Sequence, residues 1–146
     1  MEKACRCPAI AIEHYRARLS GPFLDRIDAL IEVPPLTLSA LDEGNGGEPS
    51  ASVRARVTAA QSFRQERAAG GDAAPQAIEE RNHLTREGRA LLRQALVREG
   101  LSGRAYVRII ALARTIADLD NVLAVGSEHI AEALALRLDH RRIGFS

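Results

Sequence analysis

The chain of 146 residues contains no tryptophan, and tyrosine and phenylalanine together supply only five residues. So few flat side chains argue against a sandwich or barrel, whereas the abundant Ala, Leu and Arg favour helices packed through aliphatic side chains. Lysine is almost absent: Lys3 is the only one, and the other 19 of the 20 basic residues are Arg. A phosphate-binding Gly-x-x-x-x-Gly-Lys-Ser/Thr loop needs its lysine to neutralise the phosphates that the loop backbone cradles, so this chain carries no such loop. Nor does any apolar strand end in paired carboxylates able to hold Mg²⁺. No segment approaches the roughly 18 apolar residues that span a bilayer, and the charged opening "MEKACRC" lacks the apolar stretch of a secretion signal. The expectation is a soluble cytoplasmic protein with no membrane partner.

Cysteine is scarce too. Cys5 and Cys7 stand one residue apart, too close to join without strain, and a Cys-x-Cys pair supplies at most half of a tetrahedral zinc site. The alternative is two reduced thiols at the surface of a cytosolic protein.

What is present suffices for a core, since 46% of the residues are hydrophobic, and the length suits one domain or two small ones. A net charge of +1 hides an asymmetry. Residues 1–50 hold 5 basic and 8 acidic groups, whereas residues 51–146 hold 15 basic and 11 acidic groups. That bias is modest and falls short of a nucleic-acid-binding tail.

Two soft stretches rich in Gly and Pro, residues 42–52 and 68–76, divide the chain into an N-terminal piece, a middle helix and a C-terminal block. In the first piece Pro8 suits the first turn of a helix that places Ile12, Tyr15 and Leu19 on one face before Gly21-Pro22 ends it. Pro22 opens a second turn, "PFLDRID", and "ALIEV" at 29–33 reads as a strand closed by Pro34-Pro35. A single strand is not stable alone, and no other segment has strand character, so its partners are expected in chain beyond this sequence.

The middle helix runs from a Ser52 cap with Val53, Val57, Ala60 and Arg64 at helical spacing. The C-terminal block is more sharply patterned. Thr85 caps a helix with Leu91, Leu92, Ala95 and Leu96 on its apolar face and Gly100 as its stop signal. Ser102 caps a second in which Tyr106, Ile109, Ile110, Ala113, Ile116 and Ala117 recur on one side. Ser127 caps a third with Ile130, Ala133, Leu134 and Leu138 inward. Three such helices on short loops make a small bundle.

Two long motifs within this pattern, "RLSGPFLDRIDALIEVP" at 18–34 and "LSGRAYVRIIALARTIADL" at 101–119, resemble the C-terminal part of the magnesium-chelatase subunit I-like AAA+ ATPases, in the branch of the competence protein ComM. The likeness extends over nearly all of residues 4–138. It implies a mainly α fold: a helical lid bundle preceded by the last helix and strand of an incomplete αβα ATPase core. The implied division is residues 1–41 as the end of that core, 42–52 as linker and 53–146 as lid. The chain then reads as a C-terminal fragment of a longer ATPase, inactive by itself, that needs an upstream core, ATP, Mg²⁺ and neighbouring subunits of a ring, by resemblance a hexamer.

The resemblance also gives roles to particular residues. Arg26, in the "LDRID" turn, matches an arginine finger that reaches the γ-phosphate held by a neighbouring subunit, a task suited to a planar guanidinium that never deprotonates. The alternative is a surface Arg paired with Asp25 or Asp28. Arg104, two residues past the Ser102 cap, matches the sensor 2 Arg that touches bound nucleotide at the positive end of the lid helix; the alternative is a solvated Arg beside Arg108. The resemblance implies a further cysteine pair upstream, with which Cys5 and Cys7 would complete a four-thiolate zinc site in the intact protein; His14 is a third candidate ligand, and the alternative is a lone surface histidine. Members of the family act on branched DNA or drive metal insertion into a porphyrin. A reading from another class is a free-standing helical DNA-binding module over residues 82–138, with Arg104 and Arg108 entering a groove; the wide apolar face of that helix argues against it.

Overall fold

Six helices occupy most of the residues that the computed structural model describes, which are 7–17, 26–31, 33, 47–69 and 78–142. They are α1 (Ala9–Ala17), α2 (Ser50–Ala69), α3 (Ile78–Arg81), α4 (Arg86–Glu99), α5 (Gly103–Leu119) and α6 (Ser127–Arg142). The fold is mainly α, and no helix among the described residues is long and apolar enough to cross a membrane.

The bundle of α4, α5 and α6 follows from its caps and its stripes. The Thr85 hydroxyl accepts from the Gly88 amide at 3.0 Å and the Ser102 hydroxyl from the Ala105 amide at 3.2 Å, each satisfying a donor at the open end of a helix. Gly100 ends α4 in the left-handed conformation (φ 60), where its lack of a Cβ costs least, and the Leu101 amide closes back on the Leu96 carbonyl at 3.1 Å. The same reversal ends α5 at Asn121 (φ 57), with the Val122 amide on the Ala117 carbonyl at 2.9 Å, and ends α3 at His83 (φ 54), with the Leu84 amide on the Glu79 carbonyl at 3.0 Å.

The apolar faces then close on one another. Leu92 and Ala95 of α4, Ile109, Ile110, Ala113, Ile116 and Ala117 of α5, and Ile130, Ala133 and Leu134 of α6 form one buried cluster with Leu84 and Val125. Tyr106, Leu91 and Leu96 pack at its margin. Burial of a side chain such as Ile109 or Ile130 contributes about 1.5–3 kcal/mol, so these positions supply most of the driving force. α6 packs on both α4 and α5, and α2 lies against α5. The loops entering α4 and α6 are joined by a parallel bridge between Leu84 and Val125, in which the Thr85 amide reaches the Val125 carbonyl at 3.0 Å and the Val125 amide reaches the His83 carbonyl at 2.9 Å.

Several expectations need correction. The middle helix starts at Ser50, with Pro49 accepting from the amides of Ser52 and Val53, so Ser52 lies within the first turn and is no cap. Its inward side is formed by Ala60, Phe63 and Arg67, all half-buried, while Val53, Val57 and Arg64 are exposed. Ser127 is the first residue of α6 and not its cap; Gly126 precedes it, and the His129 imidazole accepts from the Gly126 amide at 3.0 Å, as a Glu or Gln does in a capping box. Tyr15, expected inward on α1, is exposed.

The expected strand at 29–33 does not form among its described residues, which join no ladder. A strand is defined by a partner, and here the Leu30 amide pairs instead with the Leu136 carbonyl of α6 at 2.9 Å. Of the turn expected at 22–28, residues 22–25 lie outside the described residues, as do the side chains of Leu19 and Leu138, while 26–28 form no helix.

Candidate functional site

α5 is the element around which the candidate residues gather. Its apolar face is turned to the cluster, which leaves Arg104 and Arg108, one turn apart, on the other side near its N-terminus. Arg104 is exposed, and next to it the space around Gly103 is open, with no heavy atom that an added Cβ would meet. The partial positive charge of a 17-residue helix ends here, at Ser102. An open helix N-terminus with a free guanidinium beside it suits an anion.

Arg108 is engaged differently. Its Nη1 donates to the Arg26 carbonyl at 3.1 Å and forms an ion pair with the Asp28 carboxylate. Asp28 is thus held by α5 and not by Arg26, which is exposed. The surface-pair reading of Arg26 loses Asp28 as its partner; Asp25 lies outside the described residues. The groove-binding reading of α5 loses Arg108 in the same way. From α6, Arg137, which is buried, donates through Nη1 to the Ile27 carbonyl at 3.1 Å. The structure therefore brings the backbone that carries Arg26 against the end of α5 that carries Arg104.

The other end of α5 holds a buried ionic cluster that the sequence reading passed over. Arg114 and Asp118 are each 4% exposed. Arg114 Nε donates to Asp118 Oδ1 at 3.0 Å, and its terminal nitrogens reach the carbonyls of Val122, Leu123 and, at 3.5 Å, Asn82. Arg67 of α2 completes the set, donating to both Asp118 oxygens at 3.3 and 3.1 Å. Burial pulls the Arg114 guanidinium below its ordinary pKa, the Asp118 carboxylate opposes that, and Arg67 adds to the lowering. The cluster ties α2, the turn after α3 and the turn after α5 to one another. The signal was legible: Arg and Asp at i and i+4 fall on the same face as Ile110 and Ala117, where a charge must find a partner.

A third polar group fixes α3. Glu79 accepts the Tyr106 hydroxyl and pairs with Arg89, whose Nε lies 2.7 Å from Oε2 without hydrogen-bond alignment, and with Arg93 at 3.7 Å. Burial first, and then the bond to Glu79, push Tyr106 up to about 12.

Of the zinc expectation, Cys7 is exposed just ahead of α1 and His14 is exposed on it, while Cys5 lies outside the described residues. Among the described residues no group of three or more His, Cys, Asp or Glu is placed to hold a metal ion.

Residues 47–137 match the family described as magnesium chelatase, subunit ChlI C-terminal, and residues 1–41 match magnesium chelatase, subunit ChlI. The chain belongs to the magnesium-chelatase family. It is 43% identical over 129 residues to the competence protein ComM of Haemophilus influenzae, covering 86% of this chain and 25% of that protein. The YifB proteins of Salmonella typhimurium and Escherichia coli are 35% and 36% identical over 135 residues, covering 90% of this chain and 27% of each. The chain thus spans about a quarter of the length of these relatives. Its helical block is the lid expected for a magnesium-chelatase C-terminal region.

Proposed function

We propose that this chain serves as the lid-bearing part of a nucleotide-driven ring ATPase of the ComM and YifB kind, in which Arg26 is the arginine finger and Arg104 a second contact to nucleotide phosphate. The observation that carries this reading is the tether through Arg108: it holds the Arg26 backbone at 3.1 Å while Arg104 stands one turn away with open space beside it. In this reading Arg104 acts on the nucleotide of its own subunit and Arg26 on that of the neighbour, and α5 links the two contacts.

ATP and Mg²⁺ would be held by a phosphate loop and paired carboxylates supplied outside these 146 residues. What the chain's own residues contribute is charge: Arg26 stabilises the charge that develops on the transferring phosphoryl group, and Arg104 orients the phosphates at the helix N-terminus. Similarity to a protein named for competence supports DNA as the motor's substrate, in a ring of identical subunits.

The test uses the complete ATPase, with the phosphate-loop core joined to this lid. Arg26→Ala is expected to reduce turnover by about 10³-fold or more at nearly unchanged nucleotide affinity, with little rescue by Lys, whose ammonium lacks the fork. Mixing Arg26→Ala subunits with subunits lacking the phosphate-loop lysine should restore activity, because some interfaces then join an intact loop to an intact finger. Normal turnover by Arg26→Ala rings, or no recovery on mixing, would refute the assignment. The 146-residue chain alone should neither bind ATP at micromolar concentration in a calorimeter nor release phosphate.

A further inference from the structure

The segment 26–30 forms neither helix nor strand, and only Ile27 and Leu30 are shielded from solvent, each in part. Hydrophobic burial therefore does little to fix it. What fixes it is a short series of polar bonds that, among the described residues, come from the helical bundle. Arg108 of α5 holds the Arg26 carbonyl at 3.1 Å and pairs with Asp28. Arg137 of α6 holds the Ile27 carbonyl at 3.1 Å, and the Leu136 carbonyl of α6 receives the Leu30 amide at 2.9 Å. The two donors sit on different helices, and those helices are locked together through Ile109, Ile110, Ile130 and Leu134 of the core.

We propose that Arg108 and Arg137 are positioning residues that hold the carbonyls of Arg26 and of Ile27, the residue after it, against the lid, so that the direction of Arg26 is set by the lid of its own chain. The proposal rests on the reading of Arg26 as the finger. A guanidinium stabilises a developing charge only if it is already in place, because reorganisation at the moment of reaction would cost what the contact gains. A backbone carbonyl gripped by a charged donor on each of two successive residues leaves the Arg26 side chain free while removing the freedom of the chain beneath it. It follows that any movement of the lid on nucleotide binding would carry Arg26 with it. Arg108 and Arg137 touch no reacting atom in this scheme and act through Arg26 alone.

Two measurements test this separately from the finger assignment. In the 146-residue chain, hydrogen exchange at the Leu30 amide reports the latch directly. Arg108→Ala and, independently, Asp28→Asn should each speed exchange at Leu30 by about 10-fold, the scale of one charge-assisted hydrogen bond at a partly exposed site, while amides of Ile109 to Ala117 stay protected. Asp28→Asn guards against a folding defect, since Asp28 is exposed and outside the core. Unchanged exchange at Leu30 in both variants would overturn the latch.

In the complete ATPase, Arg108→Ala should lower kcat by about 10-fold with KM nearly unchanged, and should cost nothing further when combined with Arg26→Ala. An equal loss in both backgrounds would mean that Arg108 acts on nucleotide itself and would overturn the positioning role. If Arg26→Ala alone left turnover normal, the finger reading and the catalytic half of this proposal would fall together, and exchange at Leu30 would still decide whether the latch exists.

Discussion

Removal of the Asp118 carboxylate should be the most damaging single change that leaves the apolar core untouched. Arg114 is 4% exposed, and three of its four described partners are backbone carbonyls, which carry no charge to balance the guanidinium. Asp118→Ala leaves that cation buried with Arg67 nearby and no anion between them, a situation that costs about 3–5 kcal/mol. Against the roughly 5–15 kcal/mol that stabilises a domain, such a loss brings the bundle near its limit. Arg67→Ala should be milder, about 1–2 kcal/mol, because the Arg67 side chain is 15% exposed and Arg114 still neutralises Asp118. The measurement is urea unfolding followed by far-ultraviolet circular dichroism, with the midpoint falling at constant slope. The reasoning also predicts coupling: Arg114→Met together with Asp118→Leu should cost less than Asp118→Ala alone, because an apolar pair leaves no charge buried. Loss of less than about 1 kcal/mol in Asp118→Ala, or equal effects of Arg67→Ala and Asp118→Ala, would refute the account of the cluster as a buried clamp.

Three further outcomes can be measured on the same chain. Gly88→Ala should destabilise by about 1–3 kcal/mol although alanine is the better helix former, because the new Cβ would meet the Val125 carbonyl oxygen at 2.9 Å and Gly126 at 3.2 Å, both of them backbone; a rise in melting temperature would contradict this. Thr85→Ala and Ser102→Ala should each cost about 1 kcal/mol through loss of a cap, as read by thermal unfolding. Tyr106 is raised from 10.0 to about 12, so the neutral phenol is favoured in the folded state; its contribution is full below pH 10 and is lost as pH rises towards 12. Unfolding midpoints should therefore decline more steeply over that interval in the parent than in Tyr106→Phe, and equal slopes would count against the Glu79 contact.

The bundle was legible because its information is local. Thr85, Ser102 and Gly100 announce helix ends within a few residues, and the stripe from Ile109 to Ala117 needs no knowledge of what covers it. Asn121 and His83 escaped notice because a left-handed residue other than glycine carries a weak local signal, although Asn is the residue most tolerant of it after Gly. The two valines of the middle helix point to the wrong inward face: Phe63 and Arg67 hold that place because Arg67 has a buried partner 51 positions away. Alternation at 29–33 was a true local pattern with no ladder to join. Arg26 and Arg104 can be singled out by motif, but the placing of the Arg26 backbone against α5 depends on Arg108 reaching 82 positions back to the Arg26 carbonyl, a contact that no spacing rule contains.

The placement of charge along α5 gives its two ends different work. Arg104 and Arg108 lie near the N-terminus, at the edge of the core, where a guanidinium keeps water on one side and its contacts respond to salt and to incoming anions. Arg114 and Asp118 lie within the packed face, where charges are costly, geometry is over-determined and solvent is excluded. The first end is therefore open to solvent and salt, and the second is closed to both. Because a 17-residue helix transmits displacement as a rigid rod, fixing its C-terminal half through Arg67, Asn82 and the turn at Val122 leaves its N-terminal half a defined direction. If Arg104 contacts phosphate as proposed, a pull on it would be resisted by the buried clamp and would reach the chain beneath Arg26 through Arg108. Raised salt should separate the two ends experimentally: it should weaken the Arg108–Asp28 pair, measured as faster exchange at Leu30, while leaving the unfolding contribution of Arg114 and Asp118 nearly constant. Parallel loss at both ends would show that the clamp is open to solvent and that α5 does not divide its work in this way.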